Sequence, residues 1–352
     1  MVETDVVPTR PPSPVHGPSC WTGVAMAKRD WSRRVSAVEL AALQFMIDKA
    51  SPRVGDDPNA LLSMTSADFC VGAFEAILKE IEFELRHGKG FAVINGLPVH
   101  RWTSIETLTA YWGIASHLGV PLPSNANGDM VGHVVDVGAD YAHANTRGYD
   151  TNAKLSYHVD QCDLVGLLCQ QPAREGGISK IVSTAAVHNA MLERGPDLCA
   201  LLRAPVFFSW MGEEAPAQER FYKAPVFDFV DGHFHCAGGV NHIVKGHALP
   251  GAPNMTEALA QALRMFEEVC EELEFSMHFA PGDIQFLNNG LVAHTRTDFT
   301  DWPEKERRRH LLRIWLRVPT LHRGAAYFEN WRNGVTPRGN PRHIRLSPFE
   351  AF

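Results

Sequence analysis

Apolar residues recur at two different spacings along this chain. In the first third they recur every three or four positions, which is the period of an amphipathic helix. The segment SAVELAALQFMIDKA begins with Ser36 as a cap and has Glu39 three residues later, and further helices are predicted at about 70 to 88 and at 103 to 119. Between them, the short apolar run GFAVINGLP predicts a buried strand.

After about residue 130 the pattern changes to short, β-biased runs that are bounded by Gly, Pro, Asn or Asp. These runs are VGHVVDVG, DLVGLLCQ, ISKIVS, APVFFSW, APVFDFVDGHFHCAGG, EFSMHFAPGDIQFLNNG and HLLRIWLRVP. The dipeptide Asp231-Gly232 predicts a hairpin turn. One amphipathic helix, at 255 to 275, interrupts the region. Helices first and antiparallel-looking strands later predict an α+β protein with a jelly-roll or barrel core.

The proline-rich residues 1 to 33 show little periodicity and predict an extended N-terminal arm that lies over the domain. Residues 34 to 352 contain no repeat and no clear linker, so they are predicted to form a single domain. The segment 327 to 345 is rich in Gly, Pro and Arg, which argues against a core position and predicts a tail that wraps over the mouth of a site.

Composition excludes several classes of protein. Hydrophobic residues make up 45% of the 352 residues and charged residues 21%, as in an ordinary globular protein. The formal net charge of −7 argues against nucleic acid as a partner. No apolar run is long enough to span a membrane, and the first residues are acidic, so we expect a soluble, cytoplasmic protein. The seven scattered cysteines include no CxxC pair, which fits a reducing compartment and argues against a thiolate zinc site.

Two segments carry candidate metal ligands. His158 and Asp160 lie two residues apart at the start of a predicted strand, so their side chains share one face, as two ligands of a 2-His-1-carboxylate iron site would. The chain has 17 histidines, so a His-x-Asp pair arises easily by chance and carries little weight alone. In PGDIQFLNNGLVAH, a turn, an apolar strand and a second turn place His294 at the start of another element. This makes His294 the candidate third ligand.

A strictly alternating strand begins at Arg309. One face carries Arg309, Leu311, Arg313, Trp315 and Arg317, and the other is aliphatic except for His310 and is predicted to face the core. Guanidinium groups among apolar side chains cost desolvation energy unless anions meet them, and arginine binds carboxylates in a bidentate way. Two interpretations stay open here, an anion-binding face and a solvated outer face on which Trp315 packs against arginine stems.

The order and spacing of these motifs resemble one family over roughly residues 85 to 318. HVD at 158 to 160, Gly-Gly-x-Ser at 176 to 179 before a Ser-Thr-capped helix, PGDIQFLNNGLVAH and RHLLRIW resemble the taurine dioxygenase-like family of Fe(II)- and 2-oxoglutarate-dependent oxygenases, which share a fold with clavaminate synthase. The resemblance implies a double-stranded β-helix (jelly roll) core with flanking helices, in agreement with the α+β pattern.

The resemblance also implies roles for individual residues. It implies that His158, Asp160 and His294 hold Fe(II). Arg309 lies where the family keeps the arginine that pairs with the distal carboxylate of the cosubstrate 2-oxoglutarate. Ser179 matches a position where the family usually has a threonine that donates a hydrogen bond to the same carboxylate, and serine keeps that donor.

Substrate contacts are implied by analogy. Arg313 lies one step further along the strand face and is expected to reach an anionic group of the substrate or to share the cosubstrate carboxylate. The loop before the iron strand serves as a lid in the family, which makes Arg147, Tyr149 and Tyr157 candidates for substrate contacts.

The function that we expect is a dioxygenase that consumes 2-oxoglutarate and O2 to oxidise a C–H bond of a small, anionic amino or carboxylic acid. Hydroxylation is the default outcome, and desaturation and oxidative cyclisation stay open. The alternatives are a non-catalytic β-barrel small-molecule or metal-binding protein and a zinc hydrolase that uses the same ligands. We expect no nucleic-acid or membrane partner, and the sequence leaves a homodimer open.

Overall fold

A computed structural model of the chain describes residues 13–139, 148–215 and 217–348. The α-helices of these residues are Gly23–Met26 (α1), Ala37–Val54 (α2), Glu75–Arg86 (α3), Ser104–Leu118 (α4), Thr184–Arg194 (α5), Pro196–Leu201 (α6), Val240–His247 (α7), Glu257–Leu273 (α8) and Ala326–Asn330 (α9). The strands are Ser32–Arg34 (β1), Phe91–Asn95 (β2), Val120–Leu122 (β3), Asp129–Val134 (β4), Leu164–Gln171 (β5), Glu175–Gly176 (β6), Ser179–Ser183 (β7), Val206–Ser209 (β8), Phe221–Ala224 (β9), Phe227–Val230 (β10), His233–Cys236 (β11), Phe275–Met277 (β12), Ile284–Asn288 (β13), Val292–Arg296 (β14), Phe299–Thr300 (β15), His310–Arg317 (β16) and His343–Ile344 (β17). Single 3-10 turns lie at Pro58–Ser63, Ser66–Asp68, Gly72–Phe74, Gly148–Asp150 and Lys305–Arg307.

The predicted early helices are confirmed, and their start signals act as expected. α2 begins at a capping box in which the Ser36 side chain and the Glu39 side chain each bond the other's backbone N–H. α4 begins at an equivalent box at Thr103. α3 begins at Glu75, later than predicted, because the residues before it form the 3-10 turn Gly72–Phe74.

Two sheets make the core of the β region. The larger sheet has the order β1-β2-β13-β5-β16-β4-β17, and β3 also pairs with β16. The smaller sheet has the order β12-β7-β14. The hairpin predicted at Asp231-Gly232 is confirmed, since both residues have positive φ and join β10 to β11.

Helices α2, α3 and α4 cover one face of the larger sheet, and the smaller sheet with α5 and α8 covers the other. Leu312, Ile314 and Leu316 of β16 pack in one cluster with side chains of α2, α3 and α4, so the aliphatic face predicted for this strand is in the core. Trp315, on the other face, belongs to a second cluster with side chains of the smaller sheet, α5 and α8. The architecture confirms an α+β fold with a jelly-roll core and flanking helices, and its sheets are open.

The prediction that one helix interrupts the strand region is wrong. In addition to α8, the described residues after 130 contain α5, α6, α7 and α9. α5 begins where the Ser183 hydroxyl accepts the N–H of Ala186, and α6 begins with Pro196 in its first turn. α5 begins at the Ser-Thr cap noted in the sequence, whereas α6, α7 and α9 span too few turns to give the apolar periodicity that revealed α8.

The prediction that the segment 327 to 345 lies outside the core is also wrong. Tyr327, Phe328 and Trp331 are buried in the core, and the indole N–H of Trp331 donates to the hydroxyl of Tyr222 at 3.0 Å. Aromatic side chains dominate this segment's packing although Gly, Pro and Arg dominate its composition.

Part of the predicted N-terminal arm enters the fold. Trp21 is buried, and its indole N–H donates to the backbone oxygen of Lys89 at 2.8 Å. Met26 of α1 is buried as well, and β1 pairs in parallel with β2 at the edge of the larger sheet. Among the helices of the described residues, none has both the length and the apolar character needed to cross a membrane.

Candidate metal centre

The structure brings His158, Asp160 and His294 into one cluster. His158 and His294 form an antiparallel backbone pair, with N–H to oxygen distances of 3.0 and 2.8 Å, and their ring centroids lie 4.4 Å apart. One ligand atom from each of the three side chains lies within 4.8 Å of the others. Residues far apart in the sequence therefore converge on a volume that suits a single ion.

Hydrogen bonds outside the cluster orient two of its members. The Nδ1 atom of His158 lies 2.9 Å from the backbone oxygen of Ser156. Because a carbonyl oxygen only accepts, Nδ1 carries the proton in the neutral ring and Nε2 keeps the lone pair that a metal needs. The Oδ1 atom of Asn289 accepts the backbone N–H of Asp160 at 3.0 Å, and its Nδ2 donates to the backbone oxygen of Cys162 at 2.9 Å. The sequence marked Asn289 only as part of a turn.

The protonation state of the cluster also fits a metal. Burial, together with the neighbouring His158 and Arg313, lowers the pKa of His294 to about 3, so this imidazole is neutral near pH 7. The Nη1 atom of Arg313 lies 3.3 Å from Oδ1 of Asp160. Two imidazoles and one carboxylate on one side of an ion are the donor set of non-haem iron sites, so the residues present fit Fe(II).

Arg309 supplies a buried cation whose side chain is not fully hydrogen-bonded by the described residues. Its side chain is only 5% exposed, and its Nη1 atom has no hydrogen-bond partner among the described residues. Burial lowers the pKa of Arg309 to about 10, which still leaves the guanidinium charged near pH 7. It borders a cavity that Gly177 and Phe279 also line, and a Cβ atom at Gly177 would lie 3.0 Å from its Nε. A carboxylate of a bound ligand would complete this site.

Ser179 lies at the start of β7 and is buried. Side-chain alternation places it on the same face of the smaller sheet as Ile181, which pairs directly with His294. The cavity at Arg309 is lined by the residues just before it, Gly176 to Ile178, and not by Ser179 itself. The structure thus places Ser179 on the metal side of this sheet.

Arg296 is a buried residue that sequence reasoning missed. It pairs with Ser179, its guanidinium lies 4.7 Å from the ring centre of Phe299, and that of Arg309 lies 5.3 Å from the same ring. The Nη2 atom of Arg296 donates to the backbone oxygen of Ala153 at 2.5 Å, which ties the segment before His158 to β14. Strand alternation could have identified it, because Arg296 follows His294 by two residues in a strand and therefore shares its face of the sheet.

Arg313 lines the same cavity as His158 and Asp160. It is buried, and its guanidinium lies 4.5 Å from the ring centre of Tyr149 and 5.1 Å from that of Trp315. Tyr149 lines the cavity too. Because Arg309 and Arg313 are both buried, the interpretation of this face as a solvated outer surface is wrong.

The remaining loop candidates are placed differently. Tyr157 is buried, and its hydroxyl donates to the carboxylate of Glu274, so the structure does not bring it into the cavity. Arg147 lies outside the described residues.

Three polar residues that line the cavity were also missed. Gln161, Asn241 and His242 line the cavity, and Nε2 of Gln161 lies 3.2 Å from Nδ1 of His242, 81 positions away in the chain. No local pattern marks these residues, because only the tertiary fold brings α7 to the site.

The surroundings of Tyr157 make stability depend on pH. Burial raises the pKa of Glu267, which accepts the backbone N–H of Tyr157, from 4.5 to about 7. The folded state therefore holds this proton more tightly than the unfolded state, and stability falls as the pH rises from about 4.5 through about 7. On going from about pH 5 to about pH 8, we expect the free energy of unfolding of Glu267→Gln to rise by about 1–3 kcal/mol relative to that of the parent. Urea unfolding at both pH values measures this, and parallel pH profiles of the two proteins would contradict it.

Fold and cluster together define a class of protein. An open jelly roll that brings two histidines and an aspartate together on one side of a shared volume, with the buried Arg309 just before β16, has the parts of a non-haem iron oxygenase that uses a 2-oxo acid.

Sequence comparison gives the family. The sequence profile of the family described as "Taurine catabolism dioxygenase TauD, TfdA family" matches residues 71–315. FR-33289 synthase from Streptomyces rubellomurinus (strain ATCC 31215) is 30% identical over 265 residues, which cover 74% of this chain and 78% of that protein. The chain belongs to the TauD, TfdA family. It is an oxidoreductase that depends on Fe(II), 2-oxoglutarate and O2 and acts on a small molecule.

Solved structures share the fold. An asparagine oxygenase in complex with Fe(II), 2S,3S-3-hydroxyasparagine and succinate superposes with a TM-score of 0.63 and 17% identity, over 82% of this chain and 94% of that one. The non-heme iron oxygenase OrfP, in complex with Fe and alpha-ketoglutaric acid, gives a TM-score of 0.59 and 15% identity, over 81% and 94% of the two chains. Both likenesses confirm the fold inferred from the sequence.

Proposed function

We propose that this oxygenase hydroxylates a C–H bond of a small, anionic amino or carboxylic acid. In this proposal His158, Asp160 and His294 hold Fe(II), and Arg309 binds the distal carboxylate of 2-oxoglutarate. The observation that carries the substrate class is Arg313, a buried cation that faces the same cavity as the iron ligands. Asp160 meets only the Nη1 atom, at 3.3 Å, and the buried Nε has no hydrogen-bond partner among the described residues, so the guanidinium favours a further ligand of opposite charge.

Each residue has a separate task in this proposal. Bound iron, with 2-oxoglutarate and O2, supplies the oxidising power that breaks the C–H bond. Arg309 fixes the far end of the cosubstrate, with Ser179 as a hydroxyl donor on the same side. Arg313 orients the substrate anion, and the rings of Tyr149 and Trp315 at 4.5 and 5.1 Å shield its charge from water.

Proteins of the same fold support an amino-acid substrate and hydroxylation. The asparagine oxygenase was solved with 3-hydroxyasparagine and succinate, and OrfP was solved with Fe, succinate and (3S)-hydroxy-L-Arg. Both complexes contain a hydroxylated amino acid beside succinate, which favours the same reaction class here.

We also place the protein in the cytoplasm. All seven cysteines are free, and five of them are buried. Unpaired thiols are typical of a reducing compartment.

Product analysis tests the proposed function. The protein is incubated with Fe(II), 2-oxoglutarate, O2 and a panel of amino and carboxylic acids, together with neutral and cationic analogues. We expect an anionic acid to gain one oxygen atom while an equal amount of succinate forms. Loss of two hydrogens would instead identify desaturation or ring closure. Stimulation by cationic compounds alone would contradict the substrate class, and turnover without O2 and 2-oxoglutarate would indicate a hydrolase.

Substitution of Arg313 tests its role directly. We expect Arg313→Met to raise the KM for the acid about 10- to 100-fold, because a charge-assisted hydrogen bond is lost. Arg313→Lys keeps the charge without the planar fork and is expected to recover part of the loss. Arg317→Met is the matched control, because Arg317 lies on the same strand face but bonds Asn333 at 3.3 Å outside the cavity. An unchanged KM in Arg313→Met would remove this residue from the substrate site.

A further inference from the structure

A C-terminal strap, residues 341–346, is anchored along the edge of the larger sheet. Its strand β17 pairs with β4. The Nε and Nη2 atoms of Arg345 lie 3.0 and 3.1 Å from the two carboxylate oxygens of Asp129, which is buried. The backbone N–H of Ile344 donates to Oδ1 of Asn59 at 2.9 Å. These ties fix the backbone of the strap against the sheet.

Two imidazoles connect the strap to β16. The Nε2 atom of His133 lies 3.0 Å from the backbone oxygen of Arg345, and its Nδ1 lies 2.8 Å from Nε2 of His310. The two rings stack with centroids 5.0 Å apart. Since the carbonyl oxygen can only accept, neutral His133 carries its proton on Nε2, and His310 donates from Nε2 to Nδ1 of His133. Burial lowers the pKa of His310 to about 3, so this imidazole is neutral near pH 7.

His310 occupies the point where β16 loses its regular pairing. It lies opposite Gln171, whereas Leu311 lies opposite Cys169, so the register against β5 shifts between them. The extra residue, Gln170, is on β5, and at such a bulge the ladder is locally disrupted and the direction of nearby side chains changes. Arg309 immediately precedes His310, on the N-terminal side of this shift. Its backbone N–H donates to Oδ1 of Asp301 at 2.7 Å rather than to a neighbouring strand.

We propose that the strap positions the cosubstrate site through this relay. The backbone oxygen of Arg345 accepts a hydrogen bond from His133, and His133 in turn is hydrogen-bonded to His310. His310 then fixes the backbone at the register shift, and this orients the guanidinium of Arg309. The imidazoles are positioning residues, because the residues lining the cavity at Arg309 include neither of them. The proposal rests on the proposed role of Arg309 in binding the distal carboxylate of 2-oxoglutarate.

Anaerobic binding titrations test the relay without knowledge of the substrate. The protein with Fe(II) is titrated with 2-oxoglutarate, and separately with 2-oxobutanoate, which lacks the distal carboxylate, while the visible charge-transfer band is followed. We expect His310→Leu to raise the Kd for 2-oxoglutarate about tenfold and to leave the Kd for 2-oxobutanoate unchanged. His310→Gln keeps an N–H at the same reach and is expected to retain most of the affinity. Leu312→Ala, on the same strand face, is the control for packing and is expected to lower Tm with both affinities kept.

A second variant disrupts the contact that anchors the strap to the sheet. Asp129→Asn with Arg345→Met releases the anchor without leaving a buried carboxylate unpaired, and it is expected to show the same selective loss of 2-oxoglutarate affinity. It carries the test if His310→Leu does not fold. Equal weakening of both acids, unchanged 2-oxoglutarate affinity, or equal losses in His310→Leu and His310→Gln would overturn the proposal. Absence of a band in the parent protein would instead contradict the proposed iron and cosubstrate site.

Discussion

His294→Ala is expected to abolish the anaerobic charge-transfer band that Fe(II) and 2-oxoglutarate give with the parent protein. The substitution removes one of three ligand side chains whose donor atoms lie within 4.8 Å of one another. An aspartate and a single imidazole cannot hold Fe(II) in the geometry that the reaction needs. Metal-assisted stabilisation is worth several kcal/mol, so we expect kcat to fall by about a thousandfold or more.

His242→Gln provides the control for this result. His242 lines the same cavity but does not belong to the ligand cluster, so the variant is expected to keep the band and the iron stoichiometry. A band of parental intensity in His294→Ala, with iron still bound at one ion per chain, would exclude His294 as a ligand.

Arg309→Ala is expected to raise the Kd for 2-oxoglutarate about 100-fold while Fe(II) binding is kept. Arg309 is buried, and its Nη1 lacks a partner among the described residues, so the distal carboxylate finds its counter-charge there. Charge-assisted, bidentate hydrogen bonds contribute about 1.5–3 kcal/mol each, which corresponds to this loss.

The same titration with 2-oxobutanoate separates the two ends of the cosubstrate. This acid has no distal carboxylate, so its affinity is expected to be the same in the parent and in Arg309→Ala. The Kd of Arg309→Lys for 2-oxoglutarate is expected to lie between those of the parent and Arg309→Ala, because lysine keeps the charge but lacks the planar guanidinium that binds a carboxylate in a bidentate way. An unchanged 2-oxoglutarate Kd in Arg309→Ala would place the distal carboxylate elsewhere.

Short-range patterns made the metal cluster predictable. The strand predicted to begin at His158 is wrong, since His158 makes only isolated bridges and β5 begins at Leu164, but the spacing still brings His158 and Asp160 to one cluster. His294 follows a turn, a strand and a second turn that all form as expected. The alternation after Arg309 correctly separated a core face from a face with buried arginines. Each of these signals lies within a short stretch of the chain.

The same rule explains the placement of Tyr157. In an extended chain, the alternation that puts His158 and Asp160 on one face puts Tyr157 on the opposite one. Its hydroxyl accordingly donates to Glu274 and not into the cavity. The family resemblance placed Tyr157 in the substrate site, whereas the alternation of side chains places it on the side away from the cavity.

Long-range contacts set the limit of sequence reasoning. The wall formed by Asn241 and His242 comes from α7, a helix of two turns whose position depends on the whole fold. The pair His133 and His310 joins residues 177 positions apart, and no period in the chain reports such a contact. The aromatic residues of the tail were missed because composition masked their packing.

The central claim is that three side chains hold one ferrous ion. Crystals grown anaerobically with Fe(II), and measured on both sides of the iron absorption edge, test it most directly. We expect one anomalous peak between the Nε2 atoms of His158 and His294 and a carboxylate oxygen of Asp160. A peak at any other place, or none at this cluster while iron binds elsewhere, would contradict the account.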